Sequence, residues 1–212
     1  MSNADYNTAK DLGGGSVLNM KEFKLGSVLG KGAFGSVYKA THIPTGTVVA
    51  VKQLLVEEMD DENLELFARE IAILAKCRKP FLLHLIGYSV QKPFSIVTPF
   101  IPQGSLHDYV HHSGKKERLP PTNKTLVAMG MAYAMMRLHE MDIIHRDLKP
   151  ANVLLNNKFL PYICDFGIAR PITVGEGELM TKGCGTPVFM PPEQFSSQVY
   201  TKKVDVYSYG MI

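Results

Sequence analysis

Several stretches of this chain carry residue types and spacings suited to handling a phosphorylated ligand. Gly30-Lys31-Gly32-Ala33-Phe34-Gly35 lies between two apolar stretches. Its missing side chains would let backbone N–H groups close over a polyphosphate. Alone, the spacing equally describes a glycine-rich hairpin. It is not a dinucleotide-binding turn, because Val37 to Ala40 reads as a second strand and not as a helix. Val49-Ala50-Val51-Lys52 follows and puts an ammonium on an otherwise apolar strand, where it needs an anion. Glu70, next to Ile71 on the sheet-facing side of a helical pattern, can supply one. A Lys52–Glu70 pair would then aim the ammonium at phosphates. The competing reading is a surface ion pair of little energetic value.

Further along stand His145-Arg146-Asp147-Leu148-Lys149-Pro150-Ala151-Asn152 and Asp165-Phe166-Gly167. A fixed position matches by chance about one time in twenty under average usage, and here the whole set falls in order. From residue 22 to residue 212 the chain resembles the eukaryotic protein kinases. The resemblance implies a bilobal α+β fold. It has a five-stranded antiparallel N-lobe with one main helix over residues 22–101 and a mostly α C-lobe over 102–212.

The implied activity is transfer of the γ-phosphoryl group of ATP, with Mg²⁺, to serine or threonine hydroxyls of protein substrates. Such transfer needs charge neutralisation on a triphosphate, a metal bridge and an acceptor hydroxyl held in line. By resemblance, Asp165 and Asn152 are oxygen ligands for Mg²⁺, which suits a hard cation. Asp147 orients the acceptor hydroxyl, Lys149 steadies the transferring group, and Lys52 with Glu70 holds the phosphates. Leu29, Gly30, Gly32, Gly35, Val37, Ala50, Thr98, Ile101 and Leu154 would bind the nucleotide, with Val37, Ala50 and Leu154 sandwiching its ring. Pro99 stands where the family carries an acid, and its missing N–H is no loss because that position contributes a carbonyl.

Lys149 together with Gly185-Thr186-Pro187 is similar to the serine/threonine pattern. The segments 163–170, 181–193 and 204–212 resemble the tyrosine-kinase-like group. Thr186 is expected to bond Asp147 and Lys149. Thr181 is expected to be a regulatory phosphosite read by Arg146, taken as a cation awaiting an anion. Cys164, on a short strand before Asp165, is expected to face the nucleotide. Pro191-Pro192-Glu193 replaces the family's Ala-Pro-Glu. Asp205 to Gly210 resembles the start of the family's central helix and the sequence stops at Ile212, so a C-lobe lacking its last helices is expected. The alternative function is an inactive, pseudokinase-like module that binds nucleotide or partners without turnover.

The elements that must position these residues follow from periodicity. Residues 1–20 are polar, carry Gly13-Gly14-Gly15 and have no apolar period, which reads as a flexible leader. Phe23, Leu25 and Leu29, then Val37, then Val48 to Val51 after Pro44-Thr45-Gly46 give three antiparallel strands. Leu64, Phe67, Ile71 and Leu74 recur at helical spacing behind Asp60-Asp61-Glu62. Apolar runs over 82–90 and 94–98 complete the sheet. Past Gly104 the pattern turns helical: Ser105 caps a short helix, and Thr122 opens a long one through His139. Residues 153–155 and 162–164 read as brief strands.

Composition narrows the remaining function classes. The 212 residues are 45% hydrophobic and 20% charged, which excludes disordered, collagen-like and coiled-coil chains. A chain of this length buries roughly 70% of its unfolded surface. A formal charge of +3, from 23 Lys and Arg against 20 Asp and Glu, gives no basic run to attract nucleic acid. The three cysteines lack C-x-x-C spacing, which argues against disulfides and zinc sites alike. The most apolar helical stretch, 126–136, is about half the length a bilayer demands. These features lead us to expect a cytoplasmic protein with no membrane partner.

Overall fold

The computed structural model describes residues 16–32, 35–54, 60–111, 118–171, 184–196 and 201–212. Contacts divide the chain into two compact units, Met1–Arg78 with Leu83–Phe100, and Lys79–Leu82 with Ile101–Ile212.

The first unit is a sheet with one helix. Its strands are β1 (Ser16–Val17), β2 (Phe23–Gly32), β3 (Gly35–His42), β4 (Val48–Leu54), β5 (Gly87–Ser89) and β6 (Ser95–Pro99), in the order β1-β5-β6-β4-β3-β2. The pairings from β5 through β2 are antiparallel. The sixth strand corrects the end of the expected leader, residues 16–20; residues 1–15 lie outside the described residues. Ser16 and Val17 pair in parallel with Gly87 and Tyr88, the Leu18 N–H donates to the Tyr88 carbonyl at 2.8 Å, and Leu18 and Met20 pack on the core. Gly87 makes room for this: a Cβ there would lie 2.5 Å from the Ser16 carbonyl oxygen. The apolar anchors Leu18 and Met20, with the backbone pairing, thus order a segment that its polarity alone would leave free.

Strand alternation sorts β4 into two faces. Val49 and Val51 are buried with Phe23, Ala40 and Val97 in one cluster, which turns Ala50 and Lys52 to the opposite face. Helix α1 (Asp61–Lys76) begins at Asp60, whose carboxylate accepts from the Asn63 N–H at 2.8 Å. It buries Phe67, Glu70, Ile71, Ile73 and Leu74. Phe67 meets the edges of Tyr88 and Phe94, with ring centres 6.5 and 6.4 Å apart.

The second unit is mostly helical. It contains α2 (Leu106–Val110), α3 (Pro121–Glu140), β7 (Ile143–Ile144), β8 (Val153–Leu155), β9 (Pro161–Ile163), β10 (Arg170–Pro171), α4 (Pro192–Ser196) and α5 (Lys203–Gly210). Pro121 occupies the first position of α3, where its missing N–H costs nothing. Gly130 lets α3 approach β9 closely, since a Cβ would lie 2.6 Å from the Pro161 ring. β8 pairs with β9 and β7 with β10, both antiparallel. Residues 79–82, expected within the first unit, belong here because the Phe81 carbonyl accepts from the Ile163 N–H at 2.8 Å and Leu82 bridges Ile163. β9 ends at Ile163, one residue before the strand expected from the sequence.

Candidate active site

In the first unit, the Lys52 ammonium donates to both oxygens of the Glu70 carboxylate, at 2.7 and 2.8 Å. Glu70 is buried on α1, so the pair is not a solvated surface contact, and a buried carboxylate of this kind requires its cation. Cross-strand register puts Val37 opposite Lys52 and Ala50 opposite Thr98, on the same face. Val37 and Ala50 are half-buried, and Thr98 is buried.

The glycine loop closes the β2–β3 hairpin with Gly32 opposite Gly35; Ala33 and Phe34 lie outside the described residues. The glycines divide by cause. Gly35 has a packing reason of its own, because a Cβ there would lie 2.3 Å from the Gln53 carbonyl oxygen. Gly30 has nothing within 4 Å of that position, and Leu29 beside it is exposed. Among the described residues no contact asks for glycine at position 30.

In the second unit, Asp147 is held from three directions. Its carboxylate accepts from the Thr186 hydroxyl at 2.6 Å and from the Lys149 ammonium at 2.7 Å. The Asn152 amide donates to it at 3.2 Å and to the Asp147 carbonyl at 2.8 Å. Lys149 also donates to Thr186, at 2.7 Å, so carboxylate, ammonium and hydroxyl close a ring of charge-assisted hydrogen bonds. Asn152 spends its nitrogen on Asp147, and amide geometry turns its carbonyl oxygen the other way. The Cys164 N–H donates to the Asn152 backbone carbonyl at 3.0 Å, and Asp165, next in the chain, is exposed. Leu154 is half-buried on β8, and Ile101 is half-buried.

Below this ring lies a support that sequence reasoning missed. Asp205 on α5 is buried and accepts from the backbone N–H groups of His145 and Arg146, each at 2.9 Å, and bonds His139 Nε2 at 2.8 Å. His145 has Nε2 3.0 Å from the Cys164 carbonyl, and its Nδ1 accepts from the Asp147 N–H at 3.3 Å. Gln194 on α4 donates to the carbonyls of Arg146 and Cys184, at 3.1 and 2.6 Å. Arg146 and Asp165 both adopt left-handed backbone, with φ of 68° and 64°. Side chains with a Cβ keep that conformation only where surrounding bonds over-determine it. The available signal for Asp205 was a lone acid in a buried helical pattern with Val204 and Ser208. For Gln194 the sequence offered none.

Arg146 is the residue expected from the sequence to await an anion. It is buried, and its Nε donates to the Ile168 carbonyl at 2.6 Å. Thr181, the expected phosphosite, lies outside the described residues.

A protein kinase domain family model matches residues 23–212. A probable serine/threonine-protein kinase of Dictyostelium discoideum is 36% identical over 197 residues, covering 92% of this chain and 21% of the relative. The Arabidopsis thaliana serine/threonine-protein kinases STY46 and CTR1 are each 36% identical, over 196 and 198 residues and 92% of this chain, covering 33% and 23% of their own lengths. The chain thus spans a third or less of these relatives. The Asp147 ring and the Lys52–Glu70 pair both fall inside the matched segment, and the chain belongs to the protein kinase family.

Proposed function

We propose that this chain is a protein serine/threonine kinase catalytic segment that moves the γ-phosphoryl group of ATP to protein hydroxyls with Mg²⁺. The observation that carries the reading is the closed ring of Asp147, Lys149 and Thr186. Asp147 turns a carboxylate oxygen to the acceptor hydroxyl and takes its proton. Lys149 sits one hydrogen bond away, where it can offset charge on the transferring group. Thr186 holds both in register, which favours serine and threonine acceptors. Lys52, fixed by Glu70, turns its ammonium to phosphate oxygens, and Val37, Ala50 and Thr98 on the same face supply contacts to the nucleotide ring.

The residues present suit Mg²⁺. Among the described residues no group of three or more His, Cys, Asp or Glu is placed to hold a metal. Mg²⁺ is commonly bound by one or two protein oxygens, with water and phosphate completing its shell. Asp165 and the Asn152 carbonyl oxygen are such a pair. When bound, the ion neutralises charge on the transferring phosphoryl oxygens. A cytoplasmic location and protein substrates complete the reading.

Incubation of the chain with γ-labelled ATP, Mg²⁺ and a mixture of protein substrates, followed by phosphoamino-acid analysis, tests it. Label on phosphoserine and phosphothreonine supports the kinase. Nucleotide binding without transfer would support the non-catalytic module in its place.

A further inference from the structure

α2 carries two histidines with no part in the machinery above. His107 lies in its first turn, and His111 caps its end, with the His111 N–H donating to the His107 carbonyl at 3.0 Å. The spacing of four puts both side chains on one helix face. Their ring centres are 4.3 Å apart with planes inclined at 44°. Both residues are exposed. Among the described residues no side chain hydrogen-bonds to either ring, which leaves ring nitrogens available on both.

Imidazole is a ligand for late first-row divalent cations and a poor one for Mg²⁺. A ring nitrogen binds Zn²⁺ at about 2.0–2.1 Å, so two imidazoles sharing one ion near the tetrahedral angle have ring centres about 5 Å apart. The observed pair is already within about an ångström of that spacing, and rotation about the side-chain torsions of two exposed residues covers the rest. We propose that His107 and His111 form a bidentate Zn²⁺ site, with water completing the shell. The ion would staple the turn closed by the His111 to His107 backbone bond. α2 has only five residues, too short to be stable by itself. It rests on burial of Leu106 and Tyr109 and on the Asp108 carboxylate, which accepts from the Ser105 N–H and hydroxyl, each at 2.9 Å. A metal cross-link on its outer face adds a third support. This inference does not depend on the kinase reading.

Zn²⁺ titrated calorimetrically into the chain in Mg²⁺-free, non-chelating buffer tests the pair against His107→Ala, His111→Ala and the double variant. Since both side chains are exposed, circular dichroism of the variants should match the parent. One shared site predicts that each single variant loses tenfold or more in affinity and that the double variant loses no more than either. It also predicts that Zn²⁺ slows exchange of the His111 amide in the parent only. Absence of Zn²⁺ binding to the parent, unchanged binding in the double variant, or single variants that keep parental affinity at reduced stoichiometry would each overturn the site.

Discussion

Asp147 shows how much of a catalytic geometry rests on one hydroxyl. Thr186 both donates to the carboxylate and accepts from Lys149, so Thr186→Ala removes two bonds and leaves an anion and a cation to pair directly. Under the proposed function, turnover should fall by about tenfold or more while the KM for ATP stays near the parental value, because no nucleotide contact is touched. Thr186→Ser should retain most of the activity. Steady-state kinetics of the three proteins checks this. A KM that rises with unchanged turnover would mean that Thr186 serves nucleotide binding. Asp147, Lys149 and Asn152 could be named from the motif that carries the resemblance, and a contiguous loop keeps its residues together. The bond from Arg146 to the Ile168 carbonyl was not legible, because an isolated arginine in a sequence carries no sign of a left-handed backbone that turns its side chain there.

At the scale of elements, α1 exists to deliver Glu70. Its start was legible as the acidic run Asp60-Asp61-Glu62 ahead of an apolar period of three and four, though not Asp60 as its cap. Asp60→Ala deletes the side-chain bond to the Asn63 N–H and should cost about 1 kcal/mol. Urea unfolding monitored by far-ultraviolet circular dichroism would register it as a lower midpoint at unchanged slope. A shift absent within error would mean that the helix start is held by packing alone. α5 was legible as a helix but not as a scaffold. The role of Asp205 depends on two backbone N–H groups about sixty residues earlier in the chain, and no local pattern records a partner at that distance. β1 was missed for the same reason. A strand of two residues has no alternation to display, and it forms because Gly87 leaves space on a sheet edge.

Across the whole chain, the α+β class, the five antiparallel strands and the single helix of the first unit followed from hydrophobic period and turn residues. The assignment of residues 79–82 to the second unit did not, because it rests on a backbone bond to Ile163. Burial also gives the molecule a pH response. Burial pushes the Cys77 thiol up to about 12 from an ordinary 9.0. Below about pH 9 the thiol is protonated in folded and unfolded chains alike and leaves stability unchanged. Between 9 and 12 the unfolded chain loses this proton and the folded one keeps it, so stability falls as pH rises, by at most ~1.4 kcal/mol per unit. Urea unfolding of the parent and of Cys77→Ala at pH 8, 9 and 10 isolates the effect. The parent should lose stability faster than the variant above pH 9, and parallel curves would contradict it.

The most direct test of the account is Asp147→Asn, because the proposed chemistry converges on that carboxylate. Phosphate transfer and ATP affinity should be measured on the same preparation, with the parent beside it. The substitution is nearly isosteric and leaves Lys52, Glu70 and Asp165 untouched. Transfer should drop by about 10²–10⁴-fold, the range for loss of a general base, while the Kd for Mg-ATP stays within a few-fold. Transfer at the parental rate, or an affinity for Mg-ATP that collapses with turnover intact, would contradict the role assigned to Asp147.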